Sequence, residues 1–181
     1  MQHVGKAYRD ADQLELAEKA WLRGLKLNPD DTVSRELLSD LYLRQGRLED
    51  ALECIRELKR ISPQNRLHDR NEGLMLSRLK RYDEAERVFR ELCRRDPVSS
   101  VGYGSLAQLL LLRGGNAREA QSLARRAVGF DPSGENLFLL AIAAHQAGDR
   151  PTAREAIQQA LARDPDNPQY RRLYASISDQ Q

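Results

Sequence analysis

The chain has 181 residues, 31% of them charged and 40% hydrophobic, with a formal net charge of +2. Its basic residues are interleaved with acidic ones, which excludes the clustered cationic footprint of a dedicated nucleic-acid binder, and no apolar run approaches the roughly 20 residues of a membrane-spanning helix. Cys54 and Cys93 fit no metal or redox spacing and are too few for a disulfide framework, and Met1-Gln2-His3-Val4-Gly5-Lys6 has no apolar signal core, so a reducing, cytoplasmic setting is expected.

Apolar residues three and four apart predict amphipathic helices along the whole chain. In order they fall near 1–11 and 14–27, 32–45 and 48–60, 66–79 and 82–94, 100–112 and 117–129, and 135–147 and 151–162, with Pro168 opening a last helix over 168–178. In the second pair, Leu37, Leu38, Leu41 and Tyr42 form one stripe, and Ala51, Leu52, Ile55 and Leu58 the other. Helices this short are marginal alone and persist only by packing on neighbours. In the last helix Leu173, Tyr174 and Ile177 are placed to cover the fifth pair, while Arg171, Arg172 and Asp179 face water. The first helix lacks such a cover, so that end is expected to follow a removed upstream part or to pack on a partner or a second copy.

The pairs repeat. Pro29, Pro63, Pro97, Pro132 and Pro165 stand at intervals of 34, 34, 35 and 33. Twelve residues before each proline comes an alanine: Ala17, Ala51, Ala85, Ala120 and Ala153. Upstream, an apolar residue precedes a small one in Val4-Gly5, Leu38-Ser39, Leu106-Ala107 and Leu140-Ala141. This register resembles the tetratricopeptide repeat (TPR), a helix-turn-helix unit of 34 residues, over essentially the whole chain. The resemblance implies an all-α, right-handed α-solenoid in a single domain. Its five helix pairs would span about 1–31, 32–65, 66–99, 100–133 and 134–167, with a C-terminal capping helix at 168–178.

Two positions break the pattern. Gly114-Gly115 adds one residue to the turn of the fourth repeat, a change that costs little entropy. Glu72 replaces an apolar residue at a helix-packing position, where a carboxylate must be paired. His68, four residues earlier on the same face, and nearby Arg or Asn groups are its candidate partners. One His and one Glu are too few to hold a metal.

No catalytic constellation is visible: His3, His68 and His145 lie on different repeats, and the loops are nearly all short. Gly102-Tyr103-Gly104-Ser105-Leu106-Ala107 has the letters of a dinucleotide fingerprint, but that motif works only between a strand and a helix, and here it falls inside a predicted helix. No enzyme, cofactor or metal is therefore expected.

The TPR resemblance implies a groove lined by the first helix of each pair, in which a protein or peptide is held. The family's groove positions map onto Lys6 and Arg9; Glu36, Asp40 and Arg44; Arg70, Leu74 and Arg78, with Asn71 adjoining; Gly104, Gln108 and Leu111; and Phe138, Ile142, His145 and Gln146. The first three repeats would be mostly cationic and the last two more apolar, suiting a ligand with acidic residues and apolar anchors. For Leu74, Phe138 and Ile142 the alternative is packing between neighbouring first helices. No window of three repeats matches the pattern with which some TPR domains clamp the tail carboxylate of chaperones. The implied function is a non-catalytic interaction scaffold; the alternative is a self-assembling module joined through its N-terminal end. Neither membrane nor nucleic acid is expected as partner.

Overall fold

Eleven α-helices and no strand occur among residues 2–10 and 13–178, which the computed structural model describes. They are α1 (Gln2–Asp10), α2 (Leu14–Leu27), α3 (Thr32–Arg44), α4 (Leu48–Ile61), α5 (Arg66–Arg78), α6 (Tyr82–Arg95), α7 (Ser100–Leu112), α8 (Ala117–Phe130), α9 (Gly134–Gln146), α10 (Arg150–Arg163) and α11 (Pro168–Ser178). Every described helix end lies within one residue of its predicted place; positions 1 and 11 and the outward Asp179 lie outside the described residues.

The turns explain this regularity. Four first helices begin with a polar cap: the side chains of Asp31, Asn65, Ser99 and Ser133 accept from the backbone N–H groups of Ser34, Leu67, Val101 and Asn136. The same four helices end on a left-handed residue, at Gly46 (φ 72°), Lys80 (φ 60°), Gly114 (φ 69°) and Gly148 (φ 80°). The next residue's N–H then reaches back five positions, as from Arg47 to the Tyr42 carbonyl at 2.8 Å and from Arg81 to the Leu76 carbonyl at 2.9 Å. In the fourth repeat Gly115 makes this closing bond, to the Leu110 carbonyl at 2.7 Å, and the cap of α8 falls to the next residue, Asn116, whose side chain accepts from the N–H groups of Arg118 and Glu119.

The chain forms two compact units, Met1–Ala85 and Glu86–Gln181, the division falling within α6. In the first, Ala17 and Ala51 are fully buried and let paired helices approach closely. Trp21, fully buried, lies against Gly5, where an added Cβ would be 2.1 Å from the indole Nε1. Leu38, Leu52, Ile55 and Leu58 complete this core, each side chain contributing about 1.5–3 kcal/mol by burial. In the second unit Ala120, Ala124, Ala141, Ala144 and Ala153 surround Leu110, Leu137 and Ile157. As predicted, α11 covers the end of α9 and α10: Ile177 is buried, and Leu173 and Tyr174 pack on the cluster.

Candidate partner-binding surface

In the first unit the predicted groove residues lie on α1, α3 and α5. Lys6 is exposed, and Arg9 pairs with its neighbour Asp10 at 3.0 Å. On α3, Asp40 and Arg44 stand one turn apart and neutralise each other at 3.1 Å. Glu36 beside them is exposed. On α5, Arg70, Asn71 and Arg78 are exposed, with the half-buried Leu74 midway between the two arginines. Neither Arg70 nor Arg78 forms an ion pair with a described residue. The unpaired cations expected of this region are therefore Lys6 on α1 and Arg70 and Arg78 on α5, the two guanidinium-bearing positions about 12 Å apart along the helix.

Two further residues belong to the same faces. Val33 and Leu67 are 37% and 59% exposed, each three residues before Glu36 or Arg70 and so on the same side of its helix. The signal was in the sequence: Val33, Leu67 and Val101 are spaced by one repeat length, an apolar position near each helix start that no core stripe requires.

Glu72, also on α5, is paired, but not through His68. Its carboxylate accepts from Arg56 Nε at 3.1 Å and Lys59 Nζ at 2.8 Å, both on α4. Lys59 stands equally close, 2.8 Å, to the buried Asp69. Burial opposes the charge on Lys59, yet the hydrogen bonds to Asp69 and Glu72 outweigh it and hold the ammonium above the ordinary lysine pKa. His68 instead contacts the Asn65 side chain at 3.1 Å. Helix spacing identified a neighbour on the same helix, whereas the stronger donors lie on the helix packed against it.

In the second unit α7 and α9 lie side by side. Gln108 and Gln146 are exposed, and Leu111, Ile142 and His145 are half-buried. Phe138 is half-buried because its ring tilts against Tyr170 of α11, centroids 4.9 Å apart, which is packing between neighbouring helices. Gly104 is less constrained than its place in a helix suggests. A Cβ there would come no closer than 3.4 Å to Asn136 and 3.9 Å to Leu139, ordinary contact distances, so the missing side chain leaves a shallow recess. Leu112, 62% exposed, was not foreseen; in the run Leu109–Leu112 one of four consecutive leucines must face outward. The dinucleotide-like letters lie wholly within α7, with no strand before them. Among the described residues no helix is long and apolar enough to cross a membrane, and no three His, Cys, Asp or Glu side chains converge as metal ligands would.

Comparison with known proteins places this arrangement. A family model described as tetratricopeptide repeat matches residues 5–66 and 70–135, and a second of the same description matches residues 111–177. Among solved structures, a thermophilic TPR protein from Thermus thermophilus superposes with a TM-score of 0.71 at 20% identity, covering 97% of this chain and 96% of that one. MamA from Desulfovibrio magneticus RS-1 gives 0.73 at 14% identity, covering 92% and 94%. YrrB, described as a TPR protein with an unusual peptide-binding site, gives 0.68 at 15% identity, covering 93% and 87%. At these identities the likeness is one of fold, an all-α solenoid of helix pairs.

Proposed function

Because the chain belongs to the tetratricopeptide-repeat family, we propose that it is a non-catalytic protein-interaction scaffold whose first helices hold a peptide or protein segment. Fold alone suggests interaction without naming a ligand; the side chains supply the chemistry. The observation that carries the reading is the pair Arg70 and Arg78. Both are exposed and unpaired on one helix, separated by Leu74, while the neighbouring Arg44 is already neutralised by Asp40. Guanidinium groups without an internal carboxylate favour bidentate contact with one from outside. Val33 and Leu67 add apolar contact next to those charges. The ligand of the first unit is accordingly acidic with apolar anchors. In the second unit Gln108, Leu112, Ile142, His145 and Gln146 offer a surface of hydrogen-bonding and apolar groups for the same class of ligand. The test is to recover partners from the source cell with the intact chain and titrate them against Arg70→Ala/Arg78→Ala. Affinity should fall at least about tenfold; an unchanged Kd removes the reading.

A second reading, self-association, is favoured by Val4. Its counterparts Leu38 and Leu106 are 1% exposed, whereas Val4 on α1 is 47% exposed. A second copy seated on α1 would cover it. Sedimentation at high concentration distinguishes the two: a monomer throughout excludes self-association and leaves the peptide reading intact.

A further inference from the structure

The outer face of α2 differs from that of α4, the second helix next along the chain. On α4 all three cations are engaged: Arg56 with Glu72 at 3.1 Å, Lys59 with Asp69 at 2.8 Å and Arg60 with Glu57 at 3.0 Å. On α2 Lys19, Arg23 and Lys26 are all exposed, and none pairs with a described residue. Their spacing of four and three residues puts them on one side of the helix, about 10 Å from first to last. Leu16 and Leu22 flank them, each about two-fifths exposed. Lys19, Leu22, Arg23, Leu25 and Lys26, all on this one helix, border a shallow, open trough between their side chains. A second shallow depression shares Lys19 and Leu22 and is bordered also by Glu15, Glu18, Gln45 and Arg47, the last already paired with Glu18 at 2.9 Å.

We propose that this outer face of α2 is a second docking site, whose occupant is an acidic amphipathic helix of a protein partner. Carboxylates one turn apart on such a helix meet Lys19, Arg23 and Lys26, and leucine-sized side chains fill the trough over Leu22 and Leu25. Charge selects this occupant over other polyanions. Glu15 closes one end of the surface and repels an anionic membrane or a polynucleotide, whereas a folded peptide can turn a neutral or basic residue towards it. A polynucleotide has no aliphatic side chains to set against Leu16, Leu22 and Leu25. The site lies on a second helix and is separate from the first-helix residues considered above.

The probe is a synthetic fluorescein-labelled helix of about 18 residues built from Glu and Leu with a leucine stripe, titrated against the full chain at low salt by anisotropy. Because the Arg70–Arg78 face also suits an acidic ligand, the α2 site is titrated in the Arg70→Ala/Arg78→Ala background, where saturable binding is expected to persist and to weaken at least about tenfold on adding Lys19→Glu/Arg23→Glu/Lys26→Glu. Amide NMR shifts on titration should map to α2. The substituted positions are exposed, so the circular dichroism spectrum of the triple variant should match the parent; Leu22→Ser, which keeps the charges, should also weaken binding. Absence of binding, equal binding with and without the triple substitution, shifts centred on α5, or tighter binding of phosphatidylserine vesicles or oligo-dT than of the peptide each overturns the proposal. Loss with the triple variant alone leaves the Arg70–Arg78 reading untouched, so the two fail separately.

Discussion

Lys59 on α4 donates to the Glu72 carboxylate on α5 at 2.8 Å while standing 2.8 Å from Asp69, so one ammonium holds two buried carboxylates. Removing it is predicted to be far worse than removing Glu72. Lys59→Met leaves two buried acids short of a donor and should cost about 2 kcal/mol or more. Glu72→Leu puts leucine where Leu38, Leu106 and Leu140 stand in other repeats, and Lys59 keeps Asp69 while Arg56 keeps Glu84. That variant should lie within about 1 kcal/mol of the parent. Urea denaturation of both settles the order. The raised Lys59 pKa also fixes a direction with pH. The pair's contribution is fully present below the ordinary lysine pKa and is lost as pH climbs through the higher folded value.

Lys80 occupies the left-handed turn position that glycine fills at 46, 114 and 148. A side chain there carries about 1–2 kcal/mol of strain, partly offset by the greater freedom glycine has when unfolded. Lys80→Gly should therefore raise stability by about 0.5–1 kcal/mol. An equal or lower denaturation midpoint would show that the turn is not strained.

Gly5 admits no side chain, because a Cβ would collide with the Trp21 ring. Gly5→Ala should displace the indole and cost about 1–3 kcal/mol. Trp21 is the only tryptophan, so its emission reports the change directly: a red shift at unchanged helicity is expected.

Both thiols should be sluggish. Burial pushes Cys54 up to about 11 and also raises Cys93. At pH 8 only about one Cys54 in a thousand is thiolate. With Ellman's reagent the native chain should react first at the half-buried Cys93, and Cys54 should react only on unfolding. Rapid release of two equivalents from the native protein would contradict this.

The helices were legible because the same alanines, small residues and prolines return with each repeat, and every repeat alanine is fully buried. What a residue does across a helix interface was less legible. Glu72 draws its donors from 13 and 16 residues away, a separation at which nothing in the local pattern ranks one cation above another. Phe138 could be read as groove or as packing, and only Tyr170, on a helix outside the regular pairs, decides between them. Charges on a second helix, those of α2 among them, look alike in sequence whether or not a carboxylate on a neighbouring helix engages them.

The fourth repeat divides between two residues what Arg47 and Asp149 each do alone: Gly115 closes α7 through the Leu110 carbonyl, and Asn116 starts α8. The peptide joining Gly115 to Asn116 can therefore be lengthened without breaking a closing bond or removing a cap. A loop bearing a fluorophore, an epitope or a whole guest domain can be spliced between these two residues with less disturbance than after Gly46 or Gly148, making that join the natural port for engineering this protein.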